Sequence, residues 1–273
     1  MALERLHTLL ETSKQDVGFI LFTSLLLDQQ PMQSTIRRLA QHYCLNHANI
    51  SSTSSFCELI DTSLGLYVAR ALDIQQVQDE YSLAGLTKPF LMDQVTKQVD
   101  QALSSIGWPK VLRFTKFTNE SLCNALVWLH VFQCIGIITS LEPHRPRIET
   151  TLQIRRFRYR HLTNTQDWQW QSHLVTHIIF THSDWGRGMP GAFIYYESEF
   201  NYILDNLSRA ITEENVKLVG EFLHCLTILH YVLTSTQRAR VKLAKEFLAS
   251  VTDLDDDAHR SWCILAGSAC SLD

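Results

Sequence analysis

Apolar residues recur along this chain at intervals of three and four, not two, and they do so in blocks. Blocks at roughly 2–14, 16–28, 32–47, 54–72, 90–107 and 119–138 each lay an apolar stripe along one face of a 3.6-residue helix. Pro31 suits the start of the third, with Ser34 as an alternative cap, and Asn119 is a plausible cap for the last. Segment 139–166, TSLEPHRPRIETTLQIRRFRYRHLTNTQ, breaks the rhythm with two prolines and a cluster of charges. Beyond it the spacing predicts helices over about 167–183, from about 195, from 213 and over 258–270. Thr212 is the expected cap of the helix from 213, with Ile211 against Val216 as a hydrophobic staple. Brief joins make successive helices antiparallel pairs. The pattern predicts an all-α fold of paired antiparallel helices, curled toward an α/α toroid or a closed helical bundle. An N-terminal half over 1–138, a connecting segment over 139–166 and a C-terminal half over 167–273 are expected to pack as one compact domain.

Composition agrees with that pattern. Ten glycines and six prolines are few for 273 residues, which disfavours a many-turned β fold, and no repeat of fixed period is present. A net charge of −4 gives no global electrostatic footprint for double-stranded nucleic acid or an anionic membrane. Cysteines 44, 57, 123, 134, 225, 263 and 270 are odd in number, widely spaced and without a CxxC pair, so they read as small buried hydrophobes in a reducing compartment. The opening MALERLHTLLETSK lacks the basic and apolar regions of a signal peptide, and VGFILFTSLLL at 17–27 is about half the length a membrane span needs. A soluble, cytoplasmic protein without a membrane span is expected. No P-loop, GxGxxG, HExxH or GxSxG motif occurs, so phosphate-loop ATPases, Rossmann enzymes, zincins and α/β-hydrolases are unsupported.

Proton chemistry concentrates in SHLVTHIIFTHSDWGRG, residues 172–188. On a helical wheel Leu174, Val175, Ile178 and Ile179 share one stripe, while His173, His177, Phe180 and Asp184 share the opposite side. His173 and His177, at i and i+4, are spaced to reach one metal, but Asp184 lies roughly 10 Å further along the axis than His177. A metal would therefore require Asp184 to fold back or a carboxylate from another helix, and the expectation is that none is bound. Histidines that merely hold a neighbouring carbonyl, on a face meeting water, are the plain structural alternative. Glu221 and His224 form an ExxH unit, the spacing of di-iron bundles, but a second ExxH is missing. On the wheel that helix buries Val219, Phe222, Leu223, Leu226 and Leu229 and leaves Glu221 beside Lys217 on a solvated side.

LVTHIIFTHSDWG, followed about thirty residues later by VKLVGEFLHCLTIL, resembles an uncharacterised bacterial all-helical family known mainly from biosynthetic loci. That family carries a Thr-His-x-x-Phe…Ser/Thr-Asp-aromatic-Gly core and a later Glu-Leu-Leu helix. The likeness covers about 60 residues and singles out Thr176, His177, Phe180, Ser183, Asp184, Gly186 and Glu221. Here Trp185 stands where phenylalanine is commoner, and Phe222 follows the glutamate. The resemblance implies a shared helical fold and a shared site, and it brings no reaction with it. The expectation is an enzyme or small-molecule-binding protein of specialised metabolism, with acid–base chemistry in a cavity between helices. His177 would be the general base or acid, Asp184 its orienting partner and Glu221 a second carboxylate, with Trp185, Arg187, His173 and His224 contacting the substrate. Any cofactor is left unassigned. The alternative is a non-catalytic helical scaffold whose apolar groove receives a partner protein.

Two further motifs admit a chemical and a plain reading. Asp253-x-Asp255-Asp256 resembles the DxDD motif of class II terpene cyclases, whose middle aspartate protonates an alkene, and crowded carboxylates can hold a proton at neutral pH. An acidic cap for the helix that follows is the plainer reading, since the chain is short for such an enzyme and lacks the repeated Gln-to-Trp motifs of toroid cyclases. RRFRYRH at 155–161 alternates Arg156, Arg158 and Arg160 with Phe157 and Tyr159. It fits a solvated charge run, a short strand, a contact with an anion or nucleotide tail, or single-stranded nucleic acid.

Overall fold

The computed structural model of the chain describes residues 17–25, 56–72, 97, 117–136, 142–156, 159–187, 196–251 and 258–268. The helices expected over 2–14 and 32–47, the one over 90–107 apart from Lys97, residues Phe157 and Arg158, and the acidic run Asp253–Asp256 lie outside the described residues. The regular elements are α1 (Val17–Leu25), α2 (Phe56–Ala71), α3 (Asn119–Ile135), a 3-10 turn over Glu142–His144, α4 (Arg145–Arg156), α5 (Thr165–His182), α6 (Glu197–Thr212), α7 (Val216–Leu229), α8 (Ser235–Ser250) and α9 (Ala258–Ser268). No strand occurs among the described residues, and the protein is all-α. No described helix is long and apolar enough to cross a membrane.

Two compact units divide these elements, one holding Thr118–Val127 and the chain from Ile148 onward, the other holding the helices before Phe117 together with Trp128–Arg147. In the latter, α1 packs on α2, with Leu21 and Val68 fully enclosed and the Phe22 ring edge-on to Tyr67 at 5.5 Å. In the former, α7 is the hub: it packs against α5, α6, α8 and α9. A helix with four neighbours must be apolar over most of its circumference, and VKLVGEFLHCLTIL is, with Leu218, Val219, Phe222, Leu223 and Leu226 enclosed and Lys217, His224 and Thr227 part-exposed. The solvated side expected over Lys217 and Glu221 does not exist at Glu221, which is 0% exposed. A wheel drawn for one neighbour fails for a helix that has several.

Local chemistry sets the helix ends. Asn164 starts α5 by accepting from the Asp167 N–H at 2.9 Å, slightly earlier than the apolar rhythm indicated. The cap of α7 is Asn215, which accepts from the Leu218 N–H at 3.1 Å, and not Thr212. Thr212 still belongs to α6, where its hydroxyl donates to the Ser208 carbonyl at 2.9 Å, and the turn through Glu214 at φ 52° separates the two helices. Neither α4, which lies inside the segment expected to break the rhythm, nor α8 is foreshadowed by periodicity, yet Thr234 and Gln237 close a reciprocal capping box at the start of α8. Polar pairs pin α5 to α6: Trp168 Nε1 donates to Asn206 Oδ1 at 2.8 Å, and Ser172 Oγ meets the Tyr202 hydroxyl at 2.9 Å.

The contact of α7 with α9 is a backbone approach that only glycine allows. A Cβ on Gly220 would overlap the Cys263 carbonyl, and one on Gly267 would reach within 3.1 Å of Gly220 Cα. On an exposed helix, glycine to alanine stabilises by up to about 1 kcal/mol. Here the sign reverses. Gly220→Ala should lower stability by roughly 1–3 kcal/mol in chemical denaturation, the usual range for overpacking a core.

Candidate functional site

The carboxylate of Glu221 leaves the hub helix α7 toward α5, which packs against it. Its Oε2 accepts from Thr176 Oγ1 at 2.7 Å and lies 3.1 Å from His173 Nδ1. Burying a carboxylate costs several kcal/mol unless charge or hydrogen bonds compensate. Thr176 and His173, three residues apart on one turn of α5, are the compensation. His177, one turn on, donates from Nδ1–H to the His173 carbonyl at 2.7 Å, which fixes its tautomer and leaves Nε2 as the basic nitrogen of the neutral ring. Thr176 Oγ1 is 3.3 Å from the same Nδ1. One ligating atom from each of His173, His177 and Glu221 lies within 4.8 Å of the other two. The carboxylate sought from another helix to complete the i, i+4 histidine pair is Glu221.

Exposure is graded across this group. The Glu221 side chain is 1% exposed and that of His173 is 23% exposed. The His173 imidazole therefore links solvent to the buried carboxylate. Burial lowers the His173 pKa and Lys217 lowers it slightly, but the Glu221 charge and hydrogen bond outweigh them and hold it above the ordinary histidine value. Around the carboxylate, burial first and the Glu221 charge second push the Cys225 and Cys123 thiols well up, so both stay neutral. Cys225 Sγ also lies 3.8 Å from the Thr176 carbonyl, another tie between α7 and α5.

Asp184 is not part of this group. It follows Ser183, the last residue associated with α5, and adopts φ 47°, the left-handed conformation that usually falls to glycine at a helix end. The Trp185 N–H then bonds the Phe180 carbonyl at 2.6 Å, the six-to-one bond of a Schellman stop. The expected apolar contact accompanies it, with the Trp185 and Phe180 rings stacked at 5.2 Å. Ser183 Oγ accepts from the Gly186 N–H at 2.9 Å, and Gly186 sits at φ +84° with Ile228 close against it. The Asp184 carboxylate pairs with Arg187 at 2.8 Å, both side chains about a third exposed. Phe180, Ser183, Asp184, Trp185 and Gly186 therefore read as the signature of a tightly terminated helix. Asp184 and Arg187 engage each other, and Trp185, 5% exposed, is packed into the aromatic wall.

His177 joins the polar group to that wall. Its ring stands edge-on to Phe180 at 5.8 Å and to Trp185 at 5.9 Å. His224 also lies 5.5 Å from Phe180 and meets Trp262 edge-on at 5.5 Å. Although part of the residue remains accessible, His224 Nε2 is enclosed without a hydrogen bond of normal geometry. Burial dominates its pKa and lowers it to about 4, against weaker opposing effects of the Trp185 backbone and Glu221. Glu221 and His224 thus meet different parts of α5, the one at His173 and Thr176 and the other at Phe180. Thr176, Cys123, Cys225, Trp170 and Trp262 also border these residues, and of them the sequence pattern marks only Thr176 as part of a site. Comparison with protein-family models, with curated proteins and with solved structures finds no match.

The two histidines act on stability in separate pH windows. His224, with a folded pKa below the unfolded 6.5, contributes stability that is present above about pH 6.5 and is lost as pH falls toward 4. His173, raised by Glu221, contributes stability present below 6.5 and lost as pH rises through its folded value. Between pH 6.5 and 4 the His224 loss should reach about 3 kcal/mol. Denaturation midpoints of wild type and His224→Gln across that range should converge on acidification, because the variant lacks this loss.

Proposed function

We propose that the chain is an enzyme, or an enzyme-like binder, acting on a small molecule of specialised metabolism, and that its chemistry is proton transfer at His173 and His177 over the buried Glu221 carboxylate. The observation that carries this reading is the Glu221 carboxylate itself, 0% exposed, with Thr176 and His173 on one oxygen and a part-exposed imidazole leading outward. Packing alone gives no reason for it, since apolar residues of similar volume often fill such a site with equal or better stability. A carboxylate on one imidazole nitrogen orients the ring and stabilises its charged form, so that the other nitrogen exchanges a proton with a bound molecule. Glu221 is the orienting group and His173 the proton carrier, which moves the central role one turn from the pairing of His177 with Asp184. His177, its tautomer set by the His173 carbonyl, is the second proton acceptor and borders the aromatic wall that a flat or apolar substrate would face.

The alternative of a scaffold with an apolar groove has weaker support. The exposed large hydrophobic residues among those described, Ile154, Val232 and Leu243, fall on α4, the link between α7 and α8, and α8, and single exposed apolar residues are ordinary.

The reading is tested by incubating the purified protein with a chemically diverse metabolite extract and following every mass feature with time. Wild type should consume at least one feature, and His173→Gln should slow that consumption by roughly 100-fold or more, as loss of a general acid or base does. Circular dichroism would establish that the variant is folded. If wild type alters no feature, or if folded His173→Gln alters the same one equally fast, the proposal is wrong.

A further inference from the structure

We infer that His173, His177 and Glu221 form a binding site for one divalent transition-metal ion of intermediate softness, zinc(II) or iron(II). Metal binding rests on the geometry alone; the ion's use in catalysis rests on the proposed function above.

Three observations support the site. Two imidazoles and one carboxylate are the donor set that selects such ions over magnesium or calcium, which take oxygen ligands. The separations also fit. Ligands each about 2.0–2.2 Å from one ion stand roughly 3–3.5 Å apart, and His173 Nδ1 is 3.1 Å from Glu221 Oε2. A ring nitrogen of the part-exposed His177 lies within 4.8 Å of a ligating atom of each of the other two. The ligands come from rigid elements, two on adjacent turns of α5 and the third on the hub helix α7 that α5 packs against. That leaves open coordination positions on the solvent side for water or substrate, as in catalytic metal sites with three protein ligands.

Outer groups of the kind that support metal ligands are also in place. Thr176 Oγ1 donates to the Glu221 oxygen at 2.7 Å, and His177 Nδ1–H donates to a backbone carbonyl, the common way of fixing a ligating ring. The neutral thiols of Cys123 and Cys225 are not required as ligands. Any proton held on His173 Nδ1 leaves to solvent on binding, and the Nδ1 lone pair and the Glu221 oxygen both turn to the metal. No electron is transferred. A bound water acidified by the ion would then be the proton donor of the site.

The test is direct titration of the chelator-treated full chain with zinc(II), and separately with cobalt(II) as a spectroscopic substitute, followed by calorimetry and absorbance. One equivalent should bind with a Kd in the micromolar range or tighter, raise Tm, and show no thiolate-to-cobalt charge transfer, while magnesium should produce no binding. His173→Gln and His177→Gln, both at part-exposed positions, should each weaken zinc binding at least 10-fold, the low end for loss of even an outer-sphere partner. Glu221→Gln should do the same if circular dichroism shows it folded. Absence of zinc binding, binding unchanged in folded His173→Gln and His177→Gln, or a thiolate band would overturn the inference. Turnover of a metabolite by protein that binds no metal would leave the proposed function standing and remove the metal. Metal binding without any turnover would do the reverse.

Discussion

A carboxylate without access to water, on a helix packed against four others, is the constraint on which the rest of this unit depends. Helix α7 packs against α5, α6, α8 and α9, and at its middle it carries Glu221 beside the glycine that lets α9 approach. The enclosure that makes α7 a good hub makes the charge expensive. Helix α5 meets that cost with a hydroxyl and an imidazole on a single turn, both aimed at the same oxygen. Core packing and the candidate chemistry therefore share residues, and neither can be changed alone.

The end of α5 performs a different task. By stopping the helix with Asp184 and Gly186 in left-handed conformations, the chain folds Trp185 back over Phe180 and against the edge of His177. A bulky residue at φ 59° is uncommon and persists only where its surroundings enforce it. The six-to-one bond to Phe180 and the ring stack are that enforcement. The aromatic wall continues through His224 to Trp262 and gives the polar group an apolar boundary.

Much of this was legible in the sequence, and the unread part has identifiable causes. The 3.6-residue rhythm gave the all-α class and the helices from 54, 119, 167, 195 and 213 to within a few residues. The i, i+4 spacing of His173 and His177 marked them as able to act together, with a carboxylate from another helix as the condition for metal binding. That Glu221 meets this condition depends on how α7 packs against α5, a long-range fact that no local pattern encodes. Its burial was missed because a wheel assigns one wet side to a helix that has none at that position. Asp184 was placed with His177 because both fell on one helical face, but the helix has ended before Asp184 and its left-handed backbone turns the carboxylate to Arg187. Helix α8 went unread although TSTQ at 234–237 carries its capping box, because the residues that follow are mostly polar.

The central claim is that His173 compensates the buried Glu221 charge. A double-mutant cycle measures it most directly, comparing the unfolding free energies of wild type, Glu221→Gln, His173→Gln and the double variant in chelator-containing buffer near pH 6. A hydrogen bond to a charged group predicts a coupling energy of about 1.5–3 kcal/mol. Effects that add within about 0.5 kcal/mol would show that the two side chains are neighbours without being partners, and would contradict the account.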